Sequence, residues 1–234
     1  MSSEMISSLQ EKLIECAIEN GALKFDVENM FQLKSGRMSP YFFNAAAMNS
    51  GKAMHFIARC YAEVIAHGVD CAEIKFDVIF GPAYKGISLA AIVAESLYSQ
   101  YGKDYPIAYN RKEAKDHGEG GKLVGASLDG KRVLIVDDVI TAGTAVRESV
   151  EIIKSNGGIP GGLIVFLDRQ ETAVAGEDEE IPVLSAVQEV MLLHHMPVMR
   201  ILTLDHLVRY AEQSQSQEVL DAMGAYRERY GIPR

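Results

Sequence analysis

From residue 76 onward one rhythm governs the chain: a short, mostly apolar run, a loop, then an amphipathic stretch. The runs fall at 76–80, 107–109, 133–136, 163–167 and 201–204. Segments this short suit strands, and an uninterrupted apolar strand must be covered on both faces. The intervening stretches have helical spacing. One extends from the Gly81-Pro82 turn to about Tyr101 and closes at Gly102. Another covers 142–155, with Val146, Val150 and Ile153 on one face and Gly157 beyond. Strands alternating with helices predict an α/β fold: a central, mostly parallel sheet flanked by helices.

The flanks differ. Ile6, Leu9, Leu13 and Ala17 mark a helix that stops at Gly21, and Met54, Ile57, Ala58, Tyr61 and Ile65 mark another over 51–67. Between them, 31–33 and 41–43 read as short strands around a Ser-Gly-Arg turn and Pro40. Ser185-Ala-Val-Gln188 has the form of a capping box, the adjacent His194 and His195 read as structural residues of its helix, and helices are expected over 205–230. With no internal repeat and no low-complexity linker, the 234 residues are expected to form one domain, with a small N-terminal hood at about 22–45 and a core over about 50–210.

Composition excludes several classes of function. Apolar residues make up 48% and charged residues 24%, enough to bury a core without disulfides or metals. The formal charge, 23 − 32 = −9, disfavours nucleic-acid and anionic-membrane partners, which need a basic footprint. No apolar run approaches the roughly 18 residues of a membrane span. Glu4 and Glu11 with no basic residue before Lys12 do not form a targeting signal. Cys16, Cys60 and Cys71 lack CxxC spacing, and the first two fall in helical patterns as buried thiols. A reducing, cytoplasmic location is expected.

The chemistry concentrates in residues 133–145. Four apolar residues lead into Asp137 and Asp138, then Val139, Ile140, Thr141, Ala142, Gly143, Thr144 and Ala145 enter a helix. At the carboxyl end of a parallel strand, such a loop faces the ligand crevice. Gly143 allows close backbone approach, the helix start supplies unpaired N–H groups, and the threonines add hydroxyls. This equipment suits a phosphate monoester, with the aspartates accepting hydrogen bonds from vicinal sugar hydroxyls. The segment 81–86 has the glycine spacing of a Walker A loop but is followed by Ile87 and Ser88 instead of Lys and Ser/Thr, and no Gly-x-Gly-x-x-Gly occurs.

Residues 133–145 resemble the phosphoribosyl-pyrophosphate motif of type I phosphoribosyltransferases. Three further blocks appear in that family's order. Residues 31–44, running from Phe31 through Lys34, Ser-Gly-Arg37, Pro40, Phe42 and Phe43 to Asn44, resemble the hood signature of its orotate branch. Gln32 and Met38 differ from that pattern without adding charge. Gly81-Pro-Ala-Tyr84-Lys85-Gly86 resembles the pyrophosphate loop, and 110–121 resembles the catalytic flap. Residues 185–234 resemble nothing diagnostic.

The resemblance implies transfer of a phosphoribosyl group from 5-phosphoribosyl 1-diphosphate to orotate, with Mg²⁺ held mainly by substrate oxygens and water rather than by dedicated protein ligands. It implies that Tyr84 and Lys85 meet the diphosphate, joined by Lys34 and by Arg111, Lys112, Lys115 and His117 of the flap. Arg111, Lys115, Asp137 and Asp138 would act in catalysis. Lys34, Phe42, Phe43, Thr141 and Arg169 would hold orotate, the arginine through the carboxylate. It also implies a homodimer in which each flap serves the neighbouring active site.

Two rival readings are a phosphoribosyltransferase for purines and a non-catalytic sensor of phosphoribosyl pyrophosphate. The hood block with Arg169 favours a carboxylated pyrimidine over the first, and an acidic chain that keeps its flap disfavours the second. No decarboxylase pattern of the form Asp-x-Lys-x-x-Asp is present. Net charge does not exclude a polyanionic substrate, because a cleft feels charges within about 8–10 Å. Residues 111–122 carry four basic and three acidic side chains, 4 − 3 = +1, within a chain of −9.

Overall fold

The amphipathic pattern at the start of the chain folds as helix α1 (Ser8–Glu19), whose first turn is closed by a reciprocal capping box between Ser7 and Gln10. Four short strands follow, β1 (Leu23–Phe25), β2 (Phe31–Gln32), β3 (Met38–Ser39) and β4 (Tyr41–Phe43), then a 3₁₀ turn at Ala45–Ala47 and helix α2 (Gly51–Asp70). The strand–helix rhythm gives β5 (Val78–Gly81), α3 (Lys85–Tyr101), β6 (Ile107–Lys115), β7 (Gly121–Gly125), β8 (Arg132–Val139), α4 (Thr144–Ser155) and β9 (Ile159–Asp168). The chain closes with α5 (Ala186–His194), β10 (Val198–Thr203), α6 (Leu204–Ser214) and α7 (Gln217–Tyr230). The computed structural model describes residues 7–33, 35–115, 121–140, 144–172 and 184–232, without the side chains of 113–115, 121, 139 and 144. Among them, no helix is long and apolar enough to cross a membrane.

Packing divides the chain into two compact units. One comprises Met1–Ile57, Asp168–Ala186 and Leu202–Arg234; the other comprises Ala58–Leu167 and Val187–Ile201.

The second unit contains a six-stranded sheet of order β10-β9-β8-β5-β6-β7. β5 pairs in parallel with both β6 and β8, and β8 pairs in parallel with β9. After β5 the chain winds outward through β6 and β7, then returns to lay β8, β9 and β10 on the other side. The switch point is therefore the β5–β8 junction, where an open α/β sheet binds ligands at its carboxyl ends. The sequence explains the sheet's place: Ile79, Leu134 and Ile164 are as fully buried as Phe80, Ile135 and Val165, so both faces are covered. On one face Val146, Val150 and Ile153 of α4 join Val133, Ile135, Leu163 and Val165 in the core. Each such side chain contributes about 1.5–3 kcal/mol by leaving water.

Two boundaries differ from the sequence reading. The strand expected at 107–109 continues to Lys115 and pairs with an antiparallel strand, β7, that apolar content did not reveal. β7 is the edge strand, and β6 beyond Tyr109 pairs with it after the β5 ladder ends, where half-polar strands are stable, so Arg111 and Lys112 stand on a strand and not in an irregular loop. β8 likewise runs past Val136 through both aspartates, because Asp137↔Val165 and Val139↔Leu167 continue its ladder with β9.

In the first unit β1 pairs antiparallel with β4, and β2 with β3, within the expected hood. Tyr41 is fully buried there and meets the Tyr226 ring edge-on at 6.1 Å. Isolated bridges join Glu171 to Gly231 and Thr172 to Ser185. His194 closes α5, whereas His195 lies beyond it with φ +51°.

Candidate active site

In the second unit, the loop between β5 and α3 makes a very tight turn. A Cβ on Gly81 would collide with the Gly86 carbonyl, and one on Gly86 would come within 2.5 Å of Pro82 Cδ. Both positions therefore require glycine. The Ala83–Tyr84 peptide is cis. The Ala83 N–H donates to Asn110 Oδ1 at 2.9 Å, and the Gly86 N–H to the Pro82 carbonyl at 2.9 Å. Asn110 reaches the loop because Tyr109 is in register with Gly81 in the parallel β5–β6 pair.

This turn presents Tyr84, 67% exposed, and Lys85. Lys85 Nζ donates to Asp138 Oδ2 at 2.6 Å across the β5–β8 junction. Lys112 Nζ lies 5.2 Å from the centre of the Tyr84 ring, a cation–π contact. The structure thus brings together Tyr84, Lys85, Lys112 and Asp138 of the expected set.

Asp137 differs from its neighbour. It is 9% exposed, and its Oδ1 accepts the Asp138 N–H at 2.8 Å. Burial raises its carboxyl to about 6, assisted by the Asp138 charge and opposed by that N–H and by Lys85. The Asp137 carbonyl accepts the hydroxyl of Tyr61, a fully buried phenol whose own ionisation burial suppresses. Tyr61 and Asn110 hold these segments in place, and neither role was visible in sequence, where Tyr61 read only as an apolar helix face. Arg111 and Ile140 are half-buried and Ala145 is exposed. Lys34, His117, Thr141, Ala142 and Gly143 lie outside the described residues. For Lys115, Val139 and Thr144 the backbone alone is described, on β6, on β8 and at the start of α4. Among the described residues no three His, Cys, Asp or Glu side chains group as a metal site.

The first unit holds the other expected residues. Phe42 stacks on Phe31, with ring centres 5.6 Å apart. Phe42 and Phe43 are both half-buried, and Tyr41 occupies the core position of β4. Arg169 Nε donates to Glu171 Oε1 at 2.7 Å, and its Nη2 donates to Ser39 Oγ at 3.2 Å and Tyr226 Oη at 3.4 Å. Its guanidinium lies 4.3 Å from the centre of the Tyr41 ring. The second oxygen of Glu171 accepts from Arg37 Nη1 at 3.3 Å. Glu171 was missed in the sequence, because the turn that brings it back to Arg169 passes through Gln170 at φ +50°, which no motif marks.

Comparison with known proteins agrees with this chemistry. Residues 48–189 match the family model of the phosphoribosyl transferase domain. The chain is 52% identical to the orotate phosphoribosyltransferase of Stutzerimonas stutzeri, over 97% of this chain and 100% of that protein. It is 49% identical to that of Chromohalobacter salexigens, over 95% of each. The crystal structure of orotate phosphoribosyltransferase from Francisella tularensis superposes with a TM-score of 0.81 at 36% identity, covering 94% of this chain and 99% of that one. The fold is accordingly that of type I phosphoribosyltransferases, and the chain belongs to the orotate phosphoribosyltransferase family.

Proposed function

We propose that this chain transfers the 5-phosphoribosyl group of 5-phosphoribosyl 1-diphosphate to orotate, giving orotidine 5′-monophosphate and diphosphate in pyrimidine nucleotide synthesis. The observation that carries the reading is the meeting of Tyr84 and Lys85 with Asp138 at the carboxyl ends of two adjacent parallel strands. Identity of about half over nearly the full length of orotate phosphoribosyltransferases supports the choice of base.

Breaking the C1′–O bond makes the ribose oxocarbenium-like and places negative charge on the departing diphosphate, so the protein's main tasks are positioning and charge neutralisation. In this reading Asp137 and Asp138 accept hydrogen bonds from the ribose hydroxyls. The 140–145 segment receives the 5′-phosphate at the start of α4, where unpaired N–H groups favour an anion. Tyr84, Lys85, Lys34 and the flap residues Arg111, Lys112, Lys115 and His117 meet the diphosphate. Phe42, Phe43, Lys34, Thr141 and Arg169 hold orotate. Support for Arg169 comes from its Nη1, which makes no hydrogen bond among the described residues while Nε and Nη2 are engaged.

Mg²⁺ fits this donor set. Among the described residues no three His, Cys, Asp or Glu side chains form a metal cage, so diphosphate, ribose and water oxygens would supply most ligands of this hard cation, and Asp137 and Asp138 would hold it through the ribose hydroxyls they accept. When bound, it neutralises charge on the leaving group. A homodimer with flaps exchanged between active sites, and a cytoplasmic location, belong to the same proposal.

The test is loss of orotate absorbance in the presence of Mg²⁺ and 5-phosphoribosyl 1-diphosphate, with adenine, hypoxanthine and uracil as controls. Turnover of a purine without orotate would sink the assignment, and no turnover of any base would point to a sensor. For the shared sites, inactive Lys115→Ala and Asp138→Asn chains are mixed and allowed to exchange subunits. Shared sites restore about a quarter of wild-type activity, since hybrid dimers then hold one intact site; no recovery excludes exchange of the flaps.

A further inference from the structure

We propose that Glu171 and Arg37 are positioning residues for Arg169, and that the C-terminal end of α7 is thereby part of the apparatus that recognises a carboxylated base. The inference rests on Arg169 being the residue that meets the orotate carboxylate. It starts from a chain of charges in the first unit. One carboxylate, Glu171, lies between two guanidiniums, at 2.7 Å from Arg169 Nε and 3.3 Å from Arg37 Nη1. All three side chains are largely buried, at 19%, 13% and 12% exposure for Arg169, Glu171 and Arg37.

Each member of the triad is fixed from a second direction. Arg37 stacks over the Tyr230 ring at 4.7 Å and Arg169 over Tyr41 at 4.3 Å. Tyr226 and Ser39 take the Nη2 edge of Arg169. The Thr172 N–H donates to the Tyr230 carbonyl at 2.8 Å, and the Ile232 N–H to the Gln170 carbonyl at 2.9 Å, with Glu171 bridged to Gly231 between them. The 170–172 segment is thus clamped by residues 230–232, beyond anything the N-terminal motifs specify.

The arrangement has two chemical consequences. A long guanidinium side chain loses little further rotamer freedom when a ligand arrives, because Glu171 and Tyr41 already hold it. Within the triad two positive groups share one negative group, so a carboxylate ligand supplies the charge that a neutral pyrimidine such as uracil does not.

The experiment compares Glu171→Gln, Arg169→Met and their double variant by steady-state kinetics. Glu171→Gln keeps an acceptor for Arg169 Nε but removes the charge that orders both arginines. We expect it to raise the orotate KM about tenfold, with the KM for 5-phosphoribosyl 1-diphosphate within about twofold of wild type. In the Arg169→Met background it should add nothing to the orotate KM, and Glu171→Asp should restore part of the loss. If Arg169→Met raises the orotate KM while Glu171→Gln leaves it unchanged, the positioning role is overturned. Proportional losses in both KM values and kcat, with a lower melting temperature, would also overturn it in favour of a merely structural role. If Arg169→Met itself leaves the orotate KM unchanged, the underlying reading of Arg169 fails instead. Should Glu171→Gln not fold, Arg37→Lys gives the same readout from the far end of the triad, with a rise of about threefold expected and no rise overturning the proposal.

Discussion

Lys85 Nζ lies 2.6 Å from Asp138 Oδ2, joining the turn after β5 to the end of β8. The lysine is 63% exposed, and an ion pair so open to water is worth about 0–1 kcal/mol of stability. Its worth is then functional: a cation proposed to hold diphosphate is kept at its post by a carboxylate proposed to hold the ribose. Lys85→Met should therefore leave the melting temperature within about 3 °C of wild type. It should lower kcat/KM for 5-phosphoribosyl 1-diphosphate by about ten- to a hundredfold, the loss of a charge-assisted contact. Calorimetry and initial-rate kinetics on one preparation check both halves, and a large stability loss would mean that the pair is structural.

Asp137 gives a pH dependence of defined sign. Burial holds its carboxyl at about 6 in the folded chain, above the ordinary aspartate value of 3.8, so the folded state binds the proton more tightly than the unfolded state. Stability from this group is present below about pH 4 and is lost as pH rises through about 6. The cost above that range is at most about 3 kcal/mol, since one pKa step corresponds to about 1.4 kcal/mol. Asn in its place keeps an oxygen for the Asp138 N–H without the buried charge. Asp137→Asn should accordingly be more stable than wild type at pH 8, and the gain should shrink towards pH 4.5, while kcat falls. Denaturant unfolding at the two pH values measures this; a gain independent of pH would remove Asp137 as its source.

Tyr61 offers a smaller and cleaner test. Its hydroxyl donates to the Asp137 carbonyl from a fully buried position, so Tyr61→Phe leaves that bond unmade without opening a cavity. The expected loss is about 1–2 kcal/mol, seen as a shift of the denaturant midpoint without change in slope. A kcat reduced less than tenfold, with the orotate KM unchanged, would place Tyr61 behind the aspartates and away from the base. No shift in midpoint would show that another donor replaces it.

Much of this was legible in the sequence, for identifiable reasons. Parallel strands covered on both faces must be apolar throughout, so 133–136 and 163–167 announced themselves. The glycines at 81 and 86 were legible as a loop because no other residue fits. Edge strands carry no such mark: the polar β6 extension and β7 read as a loop until their pairing was seen. Nor does a sequence show which partner takes an arginine. Arg169 was singled out by the resemblance alone, whereas its hold on Glu171, Ser39 and Tyr226 depends on residues up to 130 positions away. Asp137 and Asp138 looked equivalent as a pair, yet strand alternation buries one beside Tyr61 and turns the other to Lys85.

Lys115 brings the flap into the test. Its backbone continues β6 and pairs with Gly121, so the cationic segment proposed to act on the leaving group begins on a strand fixed to the sheet at Tyr109 and Asn110. In the proposed role a positive side chain there would neutralise charge that develops on diphosphate only as the C1′–O bond breaks, and an interaction confined to the transition state lowers kcat when it is removed. Lys115→Ala is expected to reduce kcat about a hundredfold while the dissociation constant for 5-phosphoribosyl 1-diphosphate changes less than about threefold. Titration calorimetry and turnover measurements separate the two quantities. A weakened dissociation constant with kcat preserved would make Lys115 a ground-state binding residue, and an unchanged kcat and affinity would remove it from the site altogether.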